Sequence, residues 1–184
     1  MFVNPESTVR AFDIRPGMTV ADIGSGAGFF TFPIARAVGR NGKVLAVDVR
    51  REMLDLIRGR SRSQGLHNIQ LVWTDIETLR ALPVADASVD AALLANVLFQ
   101  LERKDGVFAE IHRILKPGGM LFVIDWSAIA LIGGSAAERA LGPPASARVN
   151  KQELEKLASA HGFLFTKEFS AGEQHYGMAF RRET

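Results

Sequence analysis

The chain has 184 residues, 22 Lys and Arg against 20 Asp and Glu for a net charge of +2, 47% hydrophobic residues and no cysteine. That balance suits one globular domain with a full core, expected to span residues 1–184, and gives no electrostatic case for nucleic acid. Without cysteine there can be no disulfide, Cys-ligated zinc, iron–sulfur cluster or thiol nucleophile.

The N-terminal "MFVNPESTVR" lacks a basic stretch followed by an apolar core, so no signal peptide is expected and a cytoplasmic location is the default. "MTVADI" (18–23) predicts a first strand. A helix over 29–38 follows, with Phe30, Ile34 and Val38 recurring every four residues. Pro33 fits only if that helix starts near Phe29, where first-turn N–H groups have no intrahelical acceptor. "KVLAVDV" (43–49) predicts the second strand, and Met53, Leu54 and Ile57 share one face of a helix over 51–64. "NIQLVW" (68–73), "VDAALLA" (89–95) and "GMLFVID" (119–125) complete a set of five strands. Before the last of them, Val107, Phe108, Ile111 and Leu115 form the stripe of a helix over 103–115, stopped by "KPGG". Residues 127–149, with Gly133, Gly134, Pro143 and Pro144, show little periodicity and are expected to form a substrate-side loop or lid. A helix over 150–163 has Asn150 as its N-cap and Gly162 as its stop. "FLFTKEFS" and "QHYGMAFRR" then predict two strands joined by "AGE".

Continuous apolar runs alternating with helical periods predict a doubly wound α/β sheet buried on both faces. The two most apolar stretches are interrupted by Asn96 and Asp125. Both fall short of the ~20 apolar residues of a membrane span.

The chemistry concentrates in "VADIGSGAGFF" (20–30), where Gly24, Gly26 and Gly28 follow Asp22. Glycines there allow a sharp strand-to-helix turn and close approach of a ligand to the backbone. Spacing discriminates among ligands. The nicotinamide fingerprint G-x-G-x-x-G is broken, because Phe29 stands at its third glycine, which disfavours a nicotinamide oxidoreductase. A triphosphate loop would need G-x-x-x-x-G-K-[ST], and no lysine follows. Asp22 before the turn would repel a phosphate and suits a cationic ligand such as a sulfonium amino acid.

"ADIGSGAG", Asp48 closing the second strand, "TDIE" after the third, "LLANVL" at the fourth and "LKPGG" before the fifth together resemble a class I S-adenosylmethionine-dependent methyltransferase. The likeness runs from Pro16 to Phe180 and is strongest to the ubiquinone/menaquinone-biosynthesis-type and arsenite-type branch. It implies a Rossmann-like, doubly wound, mostly parallel seven-stranded sheet with an antiparallel C-terminal hairpin strand. S-adenosyl-L-methionine would be the cofactor and S-adenosyl-L-homocysteine its product. By the same resemblance, Asp22 would hold the methionine ammonium, and Gly24, Gly26 and Gly28 would line the methionine and ribose path. Asp48 would accept both ribose hydroxyls, and Val49 and Met53 would pack on the adenine. Asp75 would accept from its exocyclic amine beside the Ile76 backbone, and Asn96 would face the methionine and the transfer site.

Catalytic candidates are fewer, with Asp125 and Asn96 put forward. Asp125 and Trp126 close the fifth strand and can equally be read as a turn cap and a core plug. His175 and Tyr176 are read as structural. Gln100 stands about where relatives often carry histidine, so no base is assigned there. The histidines at 67, 112, 161 and 175 lack ligand spacing, and no metal is expected. The lack of cysteine disfavours arsenite as acceptor. The arginines of "RREMLDLIRGRSRS" (50–63) are diluted by Glu52 and Asp55 and read as a solvated helix face, with no specific nucleic-acid binding. With only the N-terminal segment and 127–149 to shape a pocket, a small-molecule acceptor and in-line transfer are expected. A non-catalytic S-adenosylmethionine-binding module or sensor is the alternative, and nothing in the sequence bears on oligomeric state.

Overall fold

The computed structural model describes residues 3–78, 80–127 and 142–184. Seven strands form one sheet: β1 (Thr19–Ile23), β2 (Lys43–Asp48), β3 (Ile69–Trp73), β4 (Val89–Ala95), β5 (Leu115–Trp126), β6 (Phe163–Phe169) and β7 (His175–Arg182). Their order is β3-β2-β1-β4-β5-β7-β6. β1 to β5 pair in parallel, whereas β7 lies antiparallel between β5 and β6. The chain runs outward from β1 to β3 and then returns to place β4 on the other side of β1. That reversal opens a crevice at the carboxyl ends of β1 and β4, where open α/β sheets bind ligands.

Alternation along the strands sorts the side chains onto two buried faces. Val20, Val44, Ala91, Leu93, Phe122 and Ile124 pack on one, against α1 (Pro5–Arg10) and α2 (Thr31–Val38). Ala46 continues that face and packs with Leu54 and Ile57 of α3 (Arg51–Ser63). Ala21, Ile23, Leu45, Val47, Leu94 and Val123 point the other way, toward α4 (Lys104–Ile114) and α5 (Lys151–Ala160). Phe108, Phe122, Phe163 and Phe180 are all but inaccessible to solvent, and burying each contributes about 2 kcal/mol. A strand covered on both sides cannot show polar alternation, which is why β1, β2 and β4 read as largely apolar runs, while the edge strands β3 and β6 stay partly exposed.

Three boundaries depart from expectation. α2 begins at Thr31 rather than Phe29, which still leaves Pro33 in the first turn. "KPGG" does not separate α4 from β5, because β5 starts at Leu115 and carries those residues within it. The ladder to β4 accommodates them by a register shift: Val89 pairs with Leu115, and Ala91 with Met120. The third departure is α1, which the periodicity did not predict. Its N-cap is Asn4, whose Oδ1 accepts from Ser7 N at 3.0 Å while its carbonyl accepts from Thr8 Oγ1 at 2.7 Å. The expected loop over 127–149 lies for the most part outside the described residues. Within its described part, Ala145–Ala147 form a short 3-10 turn. Among the described residues no helix is long and apolar enough to cross a membrane.

Candidate functional site

β1 ends one residue before the glycine turn, and backbone bonds lock that turn to β2. Gly24 N and Ser25 N both donate to the Val47 carbonyl at 2.9 Å. Gly26 N donates to Asp48 Oδ2 at 2.8 Å. Two of the glycines are sterically required as well as left-handed. A Cβ on Gly24 (φ +73) would come within 2.4 Å of Val97, and one on Gly28 (φ +89) within 2.5 Å of Phe32. The turn therefore presses against both the β4 end and α2, which leaves its Gly26 edge open to a ligand.

Two cavities flank it. The smaller, of about 210 Å³, is bounded by Gly24, Asp48, Val49, Asp75, Ile76 and Gln100, together with Val47, Arg50, Thr74, Glu77, Val97 and Leu101. The larger, of about 530 Å³, is bounded by Asp22, Gly24, Ser25, Gly26, Ala27 and Asn96 on the turn side. Val3, Phe29, Phe30, Ala95, Trp126 and His175 complete its wall. Gly24 is the residue common to both linings. Topology alone brings together chain positions 3, 22–30, 95–96, 126 and 175. Sequence reasoning singled out Asp22, Gly24, Gly26 and Asn96 of this second wall but missed Ser25, Phe29, Phe30 and Val3. The two aromatic residues beside the glycines were the available signal.

Asp22 is 2% exposed and accepts from Thr31 Oγ1 at 2.6 Å. Burial pushes its pKa up to about 6, with the nearby Asp48 adding to the rise and Thr31 opposing it. Asp48 is also buried, and its Oδ1 accepts from Arg50 N at 2.9 Å and Arg50 Nε at 3.3 Å. With Gly26 N on Oδ2, three donors occupy a carboxylate that offers about four lone-pair sites. The Arg50 side chain is 55% exposed, so its contact is the one that a ligand can displace. Asp75 is exposed, and its Oδ1 accepts from Glu77 N at 2.9 Å, which fixes the turn after β3. Val49 presents 59% of its surface at the mouth of the smaller cavity, and Ile76 lies buried inside it. Met53 is half-buried on α3 and is not among the residues that line either cavity.

Asn96 adopts a left-handed conformation (φ +58), a region that asparagine enters more readily than most residues, and it lines the larger cavity. Asp125 belongs elsewhere. It is fully buried, its Oδ1 accepts from Trp126 N at 2.7 Å and its Oδ2 from Leu98 N at 3.0 Å. Burial raises its pKa to about 6 against those two bonds. It joins the end of β5 to the 3-10 turn Leu98–Gln100 and lines neither cavity. Of that pair, Trp126 alone reaches the larger cavity.

The arginine-rich stretch is dispersed rather than gathered. Arg58 pairs with Asp55, Arg60 donates to the Ala27 carbonyl at 2.9 Å and lies 4.3 Å over the Phe32 ring, and Arg51 stacks 3.6 Å over Trp73.

Among the described residues, the buried side-chain atoms that lack a hydrogen-bond partner include Ser25 Oγ, Asn96 Oδ1 and both ring nitrogens of His175. All four atoms belong to residues that line the larger cavity. Buried polar atoms are nearly always paired, so such a cluster marks a place that a ligand or ordered water completes.

A sheet of this order, with a glycine turn at its switch point and carboxylates ending β1 and β2, defines the class I S-adenosylmethionine-dependent methyltransferase architecture. A model of the family described as a methyltransferase domain matches residues 14–173, and the chain belongs to that family. The ubiquinone/menaquinone biosynthesis C-methyltransferase UbiE of Shewanella pealeana is 36% identical over 121 residues, 65% of this chain and 47% of that protein. The match thus spans about half the length of this curated relative. A S-adenosylmethionine-dependent methyltransferase from Aquifex aeolicus superposes with a TM-score of 0.85 at 27% identity, covering 98% of this chain and 90% of that one. An arsenic(III) S-adenosylmethionine methyltransferase from Chlamydomonas reinhardtii shares the fold, with a TM-score of 0.68, 22% identity and coverage of 93% and 65%. S-adenosyl-L-methionine is the cofactor of the family. The residues present fit it: a buried anion at Asp22, unpartnered polar atoms beside it, and a second buried carboxylate across the open edge at Gly26.

Proposed function

We propose that this chain transfers the methyl group of S-adenosyl-L-methionine to a small-molecule acceptor by in-line displacement. One observation carries the reading: four of the six unpartnered buried polar atoms among the described residues belong to the cavity that holds Asp22, which Gly24 separates from a second cavity that holds Asp48 and Asp75. In this assignment the smaller cavity takes the adenosine, with Asp48 at the ribose and Asp75, Ile76 and Val49 around the base. The larger takes the methionine end, held by Asp22 and the turn at Gly24 and Gly26, and leaves its aromatic side for the acceptor. Gly28, buried against Phe32 and lining neither cavity, shapes the turn from behind. The bound cofactor supplies a methyl group already activated on a sulfonium.

The protein's own residues bind, orient and exclude water. Asp22, ionised at neutral pH, neutralises the cationic end of the ligand. Thr31 keeps the carboxylate turned toward the glycine turn. Asp48 trades its exposed Arg50 contact for ribose hydroxyls while Gly26 N holds its other oxygen. Phe29, Phe30 and Trp126 shed water from the space where nucleophile and methyl carbon must align. Asn96, at the end of β4, faces the same space. Asp125 contributes through the turn that it anchors rather than by proton transfer. The local partners of Arg50, Arg51, Arg58 and Arg60 support a small-molecule acceptor over a nucleic acid.

Calorimetry with S-adenosylhomocysteine tests the cofactor half, and no heat of binding at hundreds of micromolar would end it. Asp48→Ala should weaken that binding by about 1–3 kcal/mol, the cost of losing charge-assisted hydrogen bonds. Binding without turnover of any compound in a broad acceptor panel would instead favour a cofactor-binding module.

A further inference from the structure

His175 opens β7 and faces Trp126, the last residue of β5, across an antiparallel rung. Their ring centroids lie 4.3 Å apart at 40°, and both residues line the larger cavity beside Phe29 and Phe30. Both ring nitrogens of His175 are buried, and neither has a partner among the described residues. A neutral imidazole carries one donor and one acceptor, and each needs a partner when shut away from water. Packing on Trp126 requires only a ring, which phenylalanine would supply without two desolvated nitrogens. The nitrogens need a reason of their own, and the cavity they line offers one.

We propose that His175 is an acceptor-binding residue, hydrogen-bonded through a ring nitrogen to an uncharged O–H or N–H group on a flat, mainly apolar methyl acceptor. The assignment rests on the methyl-transfer reading and names the chemistry at its acceptor end. Phe29, Phe30 and Trp126 form walls suited to a flat apolar body. Burial, then the neighbouring charge of Arg148, holds the His175 ring down at about 4, so it is neutral at physiological pH. The Arg148 guanidinium lies 5.4 Å from the Trp126 ring centroid, held by the carbonyls of Pro143 and Ser127 at 3.0 and 2.9 Å. Positive charge near this wall disfavours an ammonium-bearing acceptor, and the acceptor nitrogen of the neutral ring is satisfied by an uncharged O–H or N–H group. The other unpartnered atoms of the cavity, on Ser25 and Asn96, sit at the ends of β1 and β4. His175 is thus the polar group supplied by the β5–β7 side.

The probes are 1-naphthol and 1-methoxynaphthalene, alike in shape and differing in the donor, titrated calorimetrically with and without saturating S-adenosylhomocysteine. Wild type should bind the naphthol roughly tenfold more tightly than the ether, about one hydrogen bond's worth. In His175→Phe that preference should shrink to within about twofold, whereas His175→Gln, which keeps an acceptor and a donor, should retain most of it. A readout on the unaltered protein guards against a variant that fails to fold: naphthol should shift the ring ¹⁵N resonances of His175. No naphthol binding at millimolar concentration, an unchanged preference in His175→Phe, or unmoved ¹⁵N resonances would each overturn the assignment. S-adenosylhomocysteine binding is read separately in the same titrations. If it is absent while naphthol discrimination depends on His175, the cofactor reading falls alone. If it is present while discrimination ignores His175, this inference falls alone.

Discussion

Asp22 lies 2% exposed beneath the glycine turn with one hydroxyl for company, and its ionisation therefore has two opposite effects. Its folded pKa, near 6, stands above the ordinary carboxylate value. Its contribution to stability is thus present in full below about pH 4 and is lost as the pH rises through 6, at up to ~3 kcal/mol. A cationic ligand offsets that loss, so ligand affinity should move the other way. S-adenosylhomocysteine binding is expected to weaken below pH 6, approaching tenfold per unit, and Asp22→Asn should bind weakly at every pH with no inflection near 6. Calorimetry between pH 5 and 8 separates the two, and a flat wild-type profile would remove Asp22 from the ligand. Asp125 has the same raised pKa but spends both oxygens on backbone N–H groups. Asp125→Ala should cost about 1–3 kcal/mol in urea unfolding, the price of orphaning those donors, with Asp125→Asn losing less. From the sequence the two carboxylates look alike at two strand ends, because sequence carries position and not partners. The family resemblance was enough to single out Asp22, Asp48, Asp75 and Asn96 as candidates; separating residues that line a cavity from a buried anchor took tertiary contacts.

α4 shows how an element far from the chemistry sets the site. Its Glu110, 4% exposed, accepts from Leu82 N at 2.9 Å and from two atoms of Arg113 at 2.6 and 2.8 Å. Arg113 reaches on to the carbonyls of Val84 and Leu82 and to Asp86. The pair thereby fastens the segment leading into β4, the strand that delivers Asn96. Arg113→Met would leave Glu110 buried and unpaired, at an expected cost of about 3 kcal/mol in unfolding free energy. Strands β1, β2 and β4 were legible because runs such as "KVLAVD" and "VDAALLA" are buried on both faces and bounded by turn residues. α5 was legible through its cap: Asn150 and Glu153 close a reciprocal capping box. α1 was not, since six residues hold too little periodicity to show. "KPGG" misled for a physical reason. The residues that stop a helix are also those that let a strand bulge, and only the register to β4 decides between them.

For the whole molecule, three buried titratable groups set opposed acid responses. Asp22 and Asp125, with raised pKa values, favour the folded state as pH falls from 6 toward 4. His175, lowered to about 4 from an ordinary 6.5, does the reverse, because the unfolded chain takes up its proton first. The responses partly cancel, and substitution should expose each. Urea unfolding from pH 7 to 4.5 should show His175→Gln gaining on wild type by ~2 kcal/mol, after discounting for partial exposure. Asp125→Asn should fall behind wild type over the same interval. Parallel curves for all three proteins would show that these groups titrate as they do in solvent.

Gly24 belongs to the walls of both cavities, and this shared wall has a consequence for kinetic order. A donor molecule laid across the turn occupies one cavity and part of the other, and the acceptor has only what is left. An acceptor that arrives first obstructs the methionine seat, whereas a donor that arrives first completes the acceptor's wall. Turnover should therefore follow a compulsory sequence, donor on first and its spent form off last. Initial-rate measurements would show S-adenosylhomocysteine competing with the donor and inhibiting noncompetitively against the acceptor.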